Sequence, residues 1–290
     1  MRYIQKTGTV NERIGRKETK KLVDACWCNN DRQYRNLYYE SGIMGELCQV
    51  LVSEQSDTNG SYCCYCMRRL FLKDNATHKK NVTLEHIVPH NIKRDDWNRD
   101  RVSYAQFPNL QSKYITICFE GTLNEAQKSK RLKCIPYPHF ISYHNLVASC
   151  DGSMVEYNKL ISSRCCNNRR QDKFVMPVYL SSAMASGISY DSKGKLDFDD
   201  EDYDYGQMFS GDCLNLTCAW LTLVRRLWYR LSNSDYTDQD VEHAIEDKNL
   251  RQDIIDDIDF SNQISSWHEN DSVWILFSEY SWFYHYYSNK

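Results

Sequence analysis

Proline and glycine are scarce in this sequence, 5 and 11 of 290 residues, which excludes a collagen-like chain and argues against a linker-rich or low-complexity one. Long apolar runs are missing too. The densest, Ala219–Val224, is interrupted by Arg225 and Arg226, and the N-terminal MRYIQKTGTVNERIGRKETKK has no apolar segment of the signal-peptide kind. Neither a membrane span nor secretion is expected, so the chain is expected in the cytoplasm, where thiols stay reduced. What is plentiful is cysteine, 13 residues and an odd count, which under reducing conditions points to metal ligation rather than to a disulfide framework. With 41% hydrophobic and 26% charged residues, there is material for a real core in one large domain or two modest ones.

A net positive charge is also lacking. The formal value of −3 argues on its face against a polyanionic partner, but it conceals an excess of 9 positive charges over residues 61–175 and of 13 negative charges over 176–290. A basic block of this kind is the footprint of a phosphate-backbone partner, and the acidic block suits a solvated face or a protein-docking surface. Three regions follow: a helical segment over 1–60, a basic centre over 61–180 and an acidic, mainly helical region over 181–290. In the first, apolar positions at helical spacing (Leu22, Val23, Leu37, Leu47, Leu51) are interrupted by a CNNDRQ turn, and SDTNGS at 56–61 reads as a polar linker. In the last, Leu214 to Leu231 recur at three- and four-residue steps, Thr237 or Asp238 is placed to cap a helix over 238–248, and Trp274–Tyr287 fits helix or strand.

The basic centre holds four short pieces. Tyr62-Cys63-Cys64-Tyr65-Cys66 contains a C-x-x-C pair, Cys63 and Cys66, whose spacing lets two thiolates of one tight turn reach a single zinc ion at about 2.3 Å. Leu84-Glu85-His86-Ile87-Val88-Pro89 continues a strand pattern from Val82, ends on a carboxylate beside an imidazole and stops at proline. His144-Asn145-Leu146-Val147-Ala148-Ser149-Cys150 is an asparagine ahead of a short apolar run that closes on a cysteine. Cys165-Cys166-Asn167-Asn168-Arg169-Arg170 has the polar and basic character of a helix start.

Taken in order, C-x-x-C, Glu-His-Ile-x-Pro, Asn-Leu-x-x-x-Cys and Cys-Asn-x-x-Arg resemble the HNH endonuclease family over residues 62–175. The resemblance implies an α+β fold: a ββα-metal core with a structural zinc, flanked by N-terminal helices and a C-terminal helical region. It implies Cys63, Cys66, Cys150 and Cys166 as zinc ligands, with Cys165 the alternative to Cys166, and gives Asn145 the task of holding the loop that orients His86. Glu85 stands where the family carries aspartate, and an asparagine stands at its third position. The gaps from His86 to Asn145 and from Cys150 to Cys165 are long, which leaves the last cysteine, and the choice between Asn167 and Asn168, open.

The residue types suit phosphodiester hydrolysis, which needs an activated water and a cation to stabilise charge on the phosphate and the leaving oxygen. His86, with an ordinary pKa of about 6.5, is the candidate general base. Glu85 and Asn167 offer oxygen ligands to one Mg²⁺ or Mn²⁺ while leaving positions for water and phosphate. Arg169 or Arg170 is the candidate phosphate clamp. Lys79-Lys80, Lys93-Arg94 and Lys128–Lys133, with Trp97, Tyr104, Phe107 and Tyr114 among them, form a candidate nucleic-acid groove. Cys26, Cys28, Cys48, Cys64, Cys118, Cys134, Cys213 and Cys218 lack a partner spacing and read as core or surface thiols, and His90 and His144 read as polar loop residues, with a substitute base or ligand the alternative for each. The layout also resembles the HNH subunits of Septu-type and retron-associated anti-phage defence, which implies an ATPase or sensor partner docked on the helical regions. The expected activity is endonucleolytic, on DNA ahead of RNA (transfer RNA included). The alternative is a zinc-stapled nucleic-acid-binding module with a dead site.

Overall fold

The computed structural model describes residues 1–28, 42–119, 136–156, 159–161, 165–198, 203–258 and 264–290, and within them the fold is mixed α/β, with two-stranded sheets set among helices. Helices α1 (Val10–Cys28) and α2 (Gly42–Glu54) pack together and bury Leu22, Val23, Leu47 and Leu51. Apart from Cys28, the turn expected between them lies outside the described residues. Residues 56–61 are not a linker. They pair as β1 (Ser56–Asp57) and β2 (Gly60–Ser61), because Asp57 Oδ1 accepts from the N–H groups of Asn59 and Gly60 at 2.8 and 3.2 Å and Gly60 adopts φ +147°. An Asp and a Gly three residues apart at a chain reversal are turn chemistry, which a reading for polarity alone misses.

At the centre, β3 (Val82–His86) runs antiparallel to a strand contributed from far along the chain. Between them lie α3 (Arg94–Ala105) and a short parallel pair, β4 (Ile115–Thr116) with β5 (Tyr137–Pro138). The partner is β6 (Leu146–Cys150), in a register that sets Glu85 opposite Val147 and His86 opposite Leu146. Every residue of β6 is buried. Its outer edge is satisfied by a side chain: the Gln55 amide donates to the Ala148 carbonyl at 2.9 Å and accepts the Ala148 N–H at 2.8 Å, so no open ladder is buried without partners.

The long gap after Cys150 is a hairpin, β7 (Met154–Glu156) with β8 (Lys159–Ile161), and α4 (Asn167–Arg170) follows it. Then come α5 (Ser182–Ser186), the pair β9 (Ser189–Tyr190) and β10 (Leu196–Asp197), and α6 (Tyr205–Phe209). Helix α7 (Ala219–Leu231) buries Trp220, Leu221, Val224, Leu227, Trp228 and Leu231, the face its periodicity predicts. The helix expected over 238–248 divides into α8 (Asp238–His243), opened by a Thr237–Asp240 capping box, and α9 (Lys248–Asp257), because Asp247 is itself an N-cap that accepts from Asn249 and Leu250. The aromatic stretch near the C-terminus is helical, as α10 (Asp271–Ser278) and α11 (Trp282–Ser288). One hydrophobic core runs from Leu22 and Leu51 through Val147 to Trp228 and Phe283, so the composition changes near residues 60 and 180 are not gaps in packing.

Candidate functional site

The C-x-x-C pair sits in a tight knuckle. The Cys63 N–H donates to the Arg68 carbonyl at 2.8 Å, the Met67 N–H returns to the Cys63 carbonyl at 3.3 Å, and Met67 takes φ +63°. Opposite it stand the end of β6 and the start of α4. The thiols of Cys63, Cys66, Cys150 and Cys166 lie within 4.8 Å of one another and are fully buried. Their Sγ–Sγ separations of 3.8 Å (Cys63–Cys166) and 3.6 Å (Cys66–Cys150) match the edge of a tetrahedron of sulfurs about 2.3 Å from a central ion, roughly 3.8 Å. The four cysteines therefore form a candidate binding site for a metal such as zinc. Burial pushes the Cys66 and Cys166 thiols well up, an arrangement that a dication reverses by neutralising the thiolates. Cys165 stays outside the four: its Sγ is 3.6 Å from that of Cys166 but faces the Gly152 carbonyl at 3.5 Å. Gly152, at φ +73°, is required here, since a Cβ on it would stand 2.4 Å from the Cys165 carbonyl oxygen.

Glu85 and His86, adjacent on β3, occupy different surroundings. Glu85 is buried, and its Oε1 accepts from the Tyr65 hydroxyl at 2.8 Å and from Arg170 Nη1. Burial raises its pKa, and the Arg170 guanidinium works against that rise. His86 is half-buried, with Nε2 2.9 Å from the Phe140 carbonyl and its ring edge-on to His90 at 5.2 Å. Burial lowers its pKa to about 3, the Phe140 carbonyl opposing, so the imidazole is neutral at physiological pH. Donation of Nε2–H to Phe140 makes Nδ1 the lone-pair nitrogen. Asn145 is fully buried and ties the chain after β3 to the start of β6: its Oδ1 accepts the Val88 N–H at 2.7 Å, and its Nδ2 donates to the Val88 and His139 carbonyls, both at 2.9 Å.

The two asparagines of α4 diverge. Asn167 turns to β3, donating to the Leu84 carbonyl at 3.0 Å, whereas Asn168 is exposed and donates to the Asp151 carbonyl. The arginines diverge as well, and here the phosphate-clamp expectation needs correction for one of them. Arg170 is buried, with Nη1 on Glu85 and the His86 carbonyl (2.5 Å), Nη2 on the Ile87 carbonyl (2.7 Å) and Nε on the Lys173 carbonyl (3.0 Å); it fastens α4 to the end of β3, and its burial there keeps the guanidinium from a phosphate at the surface. Arg169 is exposed, with Nε on the Gly211 carbonyl at 2.6 Å. Of the expected aromatic groove, Tyr104 and Phe107 are core residues, Trp97 and Tyr114 are half-buried, and Lys128–Lys133 lies outside the described residues. His90 lies beside His86, whereas His144 is buried against Glu12 at 3.0 Å and stacks on Tyr114.

No family model, curated protein or solved structure matches the chain. Among the described residues no helix is long and apolar enough to cross a membrane. Sequence reasoning missed Tyr65, the clamp made by Arg170, the Phe140 carbonyl and Glu279. Glu279 joins α10 to the knuckle: its carboxylate meets Arg68 Nε at 2.5 Å and His78 Nδ1 at 3.2 Å, and its carbonyl accepts the Arg69 N–H at 2.7 Å. Phe140 and Glu279 belong to no spacing motif; Tyr65 and Arg170 stand inside C-x-x-C and Cys-Asn-x-x-Arg, but the spacing gives no sign that they meet at Glu85.

Proposed function

We propose that the chain is a metal-dependent endonuclease of the HNH type, acting on DNA in preference to RNA. The observation that carries this reading is convergence: the β3–β6 hairpin and the four-cysteine cluster bring Glu85-His86, Asn145 and Asn167, from three separate motifs, to one end of one hairpin. In it, His86 takes a proton from the attacking water at Nδ1, and Asn145 and the Phe140 carbonyl hold the ring and its loop. Glu85 and Asn167 would hold Mg²⁺ or Mn²⁺ through Glu85 Oε2, since Oε1 is taken by Tyr65 and Arg170, and through Asn167 Oδ1. Such an ion, when bound, stabilises negative charge on the phosphate and the leaving oxygen. Cys63, Cys66, Cys150 and Cys166 would hold a structural zinc that ties the knuckle to α4. Arg169, exposed at the same helix, contacts the phosphate. An anti-phage role with an ATPase partner belongs to the same proposal, the acidic residues 176–290 being the surface on which such a partner would dock.

A second reading, a zinc-stapled nucleic-acid-binding module without activity, is favoured by the burial of Glu85 against Arg170. One comparison separates the two. Wild type and His86→Ala are incubated with plasmid DNA and with total RNA, in Mg²⁺ or EDTA; cleavage that requires both Mg²⁺ and His86 is expected, and binding without cleavage by wild type selects the second reading.

A further inference from the structure

Helix α3 and the turn after it enclose a groove of about 640 Å³ that lies apart from the hairpin. Its walls are Trp97, Val102, Ala105 and Leu110, and its charged lining residues, Arg101 and Lys113, are both cationic; among the described residues no acid lines it, and Gln111 and Ser112 add neutral hydrogen-bonding groups. Val102 is 77% exposed and, with Trp97, Ala105 and Leu110, makes the apolar wall continuous. Two chains of contact link the groove to the hairpin. Trp97 stacks on Tyr104 at 5.9 Å, and the Tyr104 hydroxyl donates to the carbonyl of Ile87, the residue after His86. On the other side, Lys113 stands over the Tyr114 ring at 5.0 Å, and Tyr114 stacks at 4.4 Å on His144, the residue before Asn145.

We propose that this groove binds an unpaired nucleotide of single-stranded nucleic acid, its base on the apolar wall and its phosphates at Arg101 and Lys113. The chemistry requires both halves. A flat apolar body is needed to cover Val102 and Trp97, and an anion is needed at the two cations, and a nucleotide carries the two together. A duplex keeps its base faces stacked inside, so the apolar wall has nothing to offer it. The inference deepens the nuclease reading by naming the strand state of the substrate, and it rests on that reading for the link to cleavage but not for binding.

The test is fluorescence anisotropy of a labelled oligothymidylate, and of a duplex of equal length, with the full chain in EDTA so that nothing is cut. Val102 and Arg101 are both exposed, so Val102→Asp and Arg101→Glu leave the core alone, and circular dichroism checks their fold. Lys195→Glu, in a second cation-lined cavity between β10 and α7, is the control. The expected result is tenfold or greater weakening of single-strand binding by Val102→Asp and by Arg101→Glu, no change with Lys195→Glu, and little effect of Val102→Asp on the duplex. Single-strand binding unchanged by Val102→Asp, or equal losses for the duplex, overturns the groove. Absence of single-strand binding by wild type overturns it as well. Plasmid cleavage in Mg²⁺ by the same proteins reads the nuclease proposal separately: cleavage without a groove effect leaves the enzyme standing, and a groove effect without cleavage leaves the binding site standing.

Discussion

At the scale of single residues, the contrast between Arg169 and Arg170 decides most about the site. Adjacent in sequence and identical in type, they lie about 100° apart around a helix, so one reaches solvent and the other the Glu85 carboxylate. Arg170→Ala leaves Glu85 buried without its cation and is expected to destabilise the fold by about 3–5 kcal/mol, read from the midpoint of urea unfolding. If the damage comes from the orphaned charge, Glu85→Gln combined with Arg170→Met loses markedly less than the sum of the single changes; strict additivity defeats that account. Gly152→Ala combines φ +73° with a Cβ 2.4 Å from the Cys165 carbonyl, and a loss of at least about 1–2 kcal/mol is expected from the backbone alone.

At the scale of elements, strand β3, the knuckle and α4 were legible because each is local: an apolar run ending at proline, a C-x-x-C spacing, a polar helix start. The pairing of Cys150 with Cys166 was legible only as motif order, since nothing in the residues between them announces that β7–β8 is a hairpin that returns the chain to its starting point. Turn polarity at 56–61 and the internal cap Asp247 were misread for one reason: a short polar cluster is common to linkers, hairpin turns and helix starts, and only its backbone partners tell them apart. The cluster makes a sharp prediction. About one zinc per chain is expected by metal analysis, lost in Cys63→Ala/Cys66→Ala and in Cys166→Ser but kept in Cys165→Ser. Retention by Cys166→Ser with loss by Cys165→Ser reverses the assignment. A folded wild type without zinc removes it.

At the scale of the whole molecule, the acidic C-terminal region is not merely a solvated face. Its carboxylates Glu242 and Glu279 flank His78 at 2.8 and 3.2 Å, and although burial alone lowers the His78 pKa, the two carboxylates outweigh it and hold it up at about 9. The folded value lies above the unfolded one near 6.5, so the contribution is complete below about pH 6.5 and disappears as pH rises through 9. Thermal melts from pH 6 to about 9.5 are expected to show a loss on the order of 3 kcal/mol that His78→Asn abolishes; a wild-type profile flat across that range rules the coupling out. None of this was readable beforehand, because His78 and Glu279 stand 201 positions apart and belong to no motif. The tie between Val88 and Asn145 has a further consequence. It spans 57 positions, yet strand register and one amide set its geometry, so a flexible stretch within the intervening chain can lengthen at little cost: doubling such a loop costs only about 0.6 kcal/mol of closure entropy. The β3–β6 pair is thus a frame from which exposed stretches of the connecting chain can lengthen or shorten while the geometry at the end of β3 is kept.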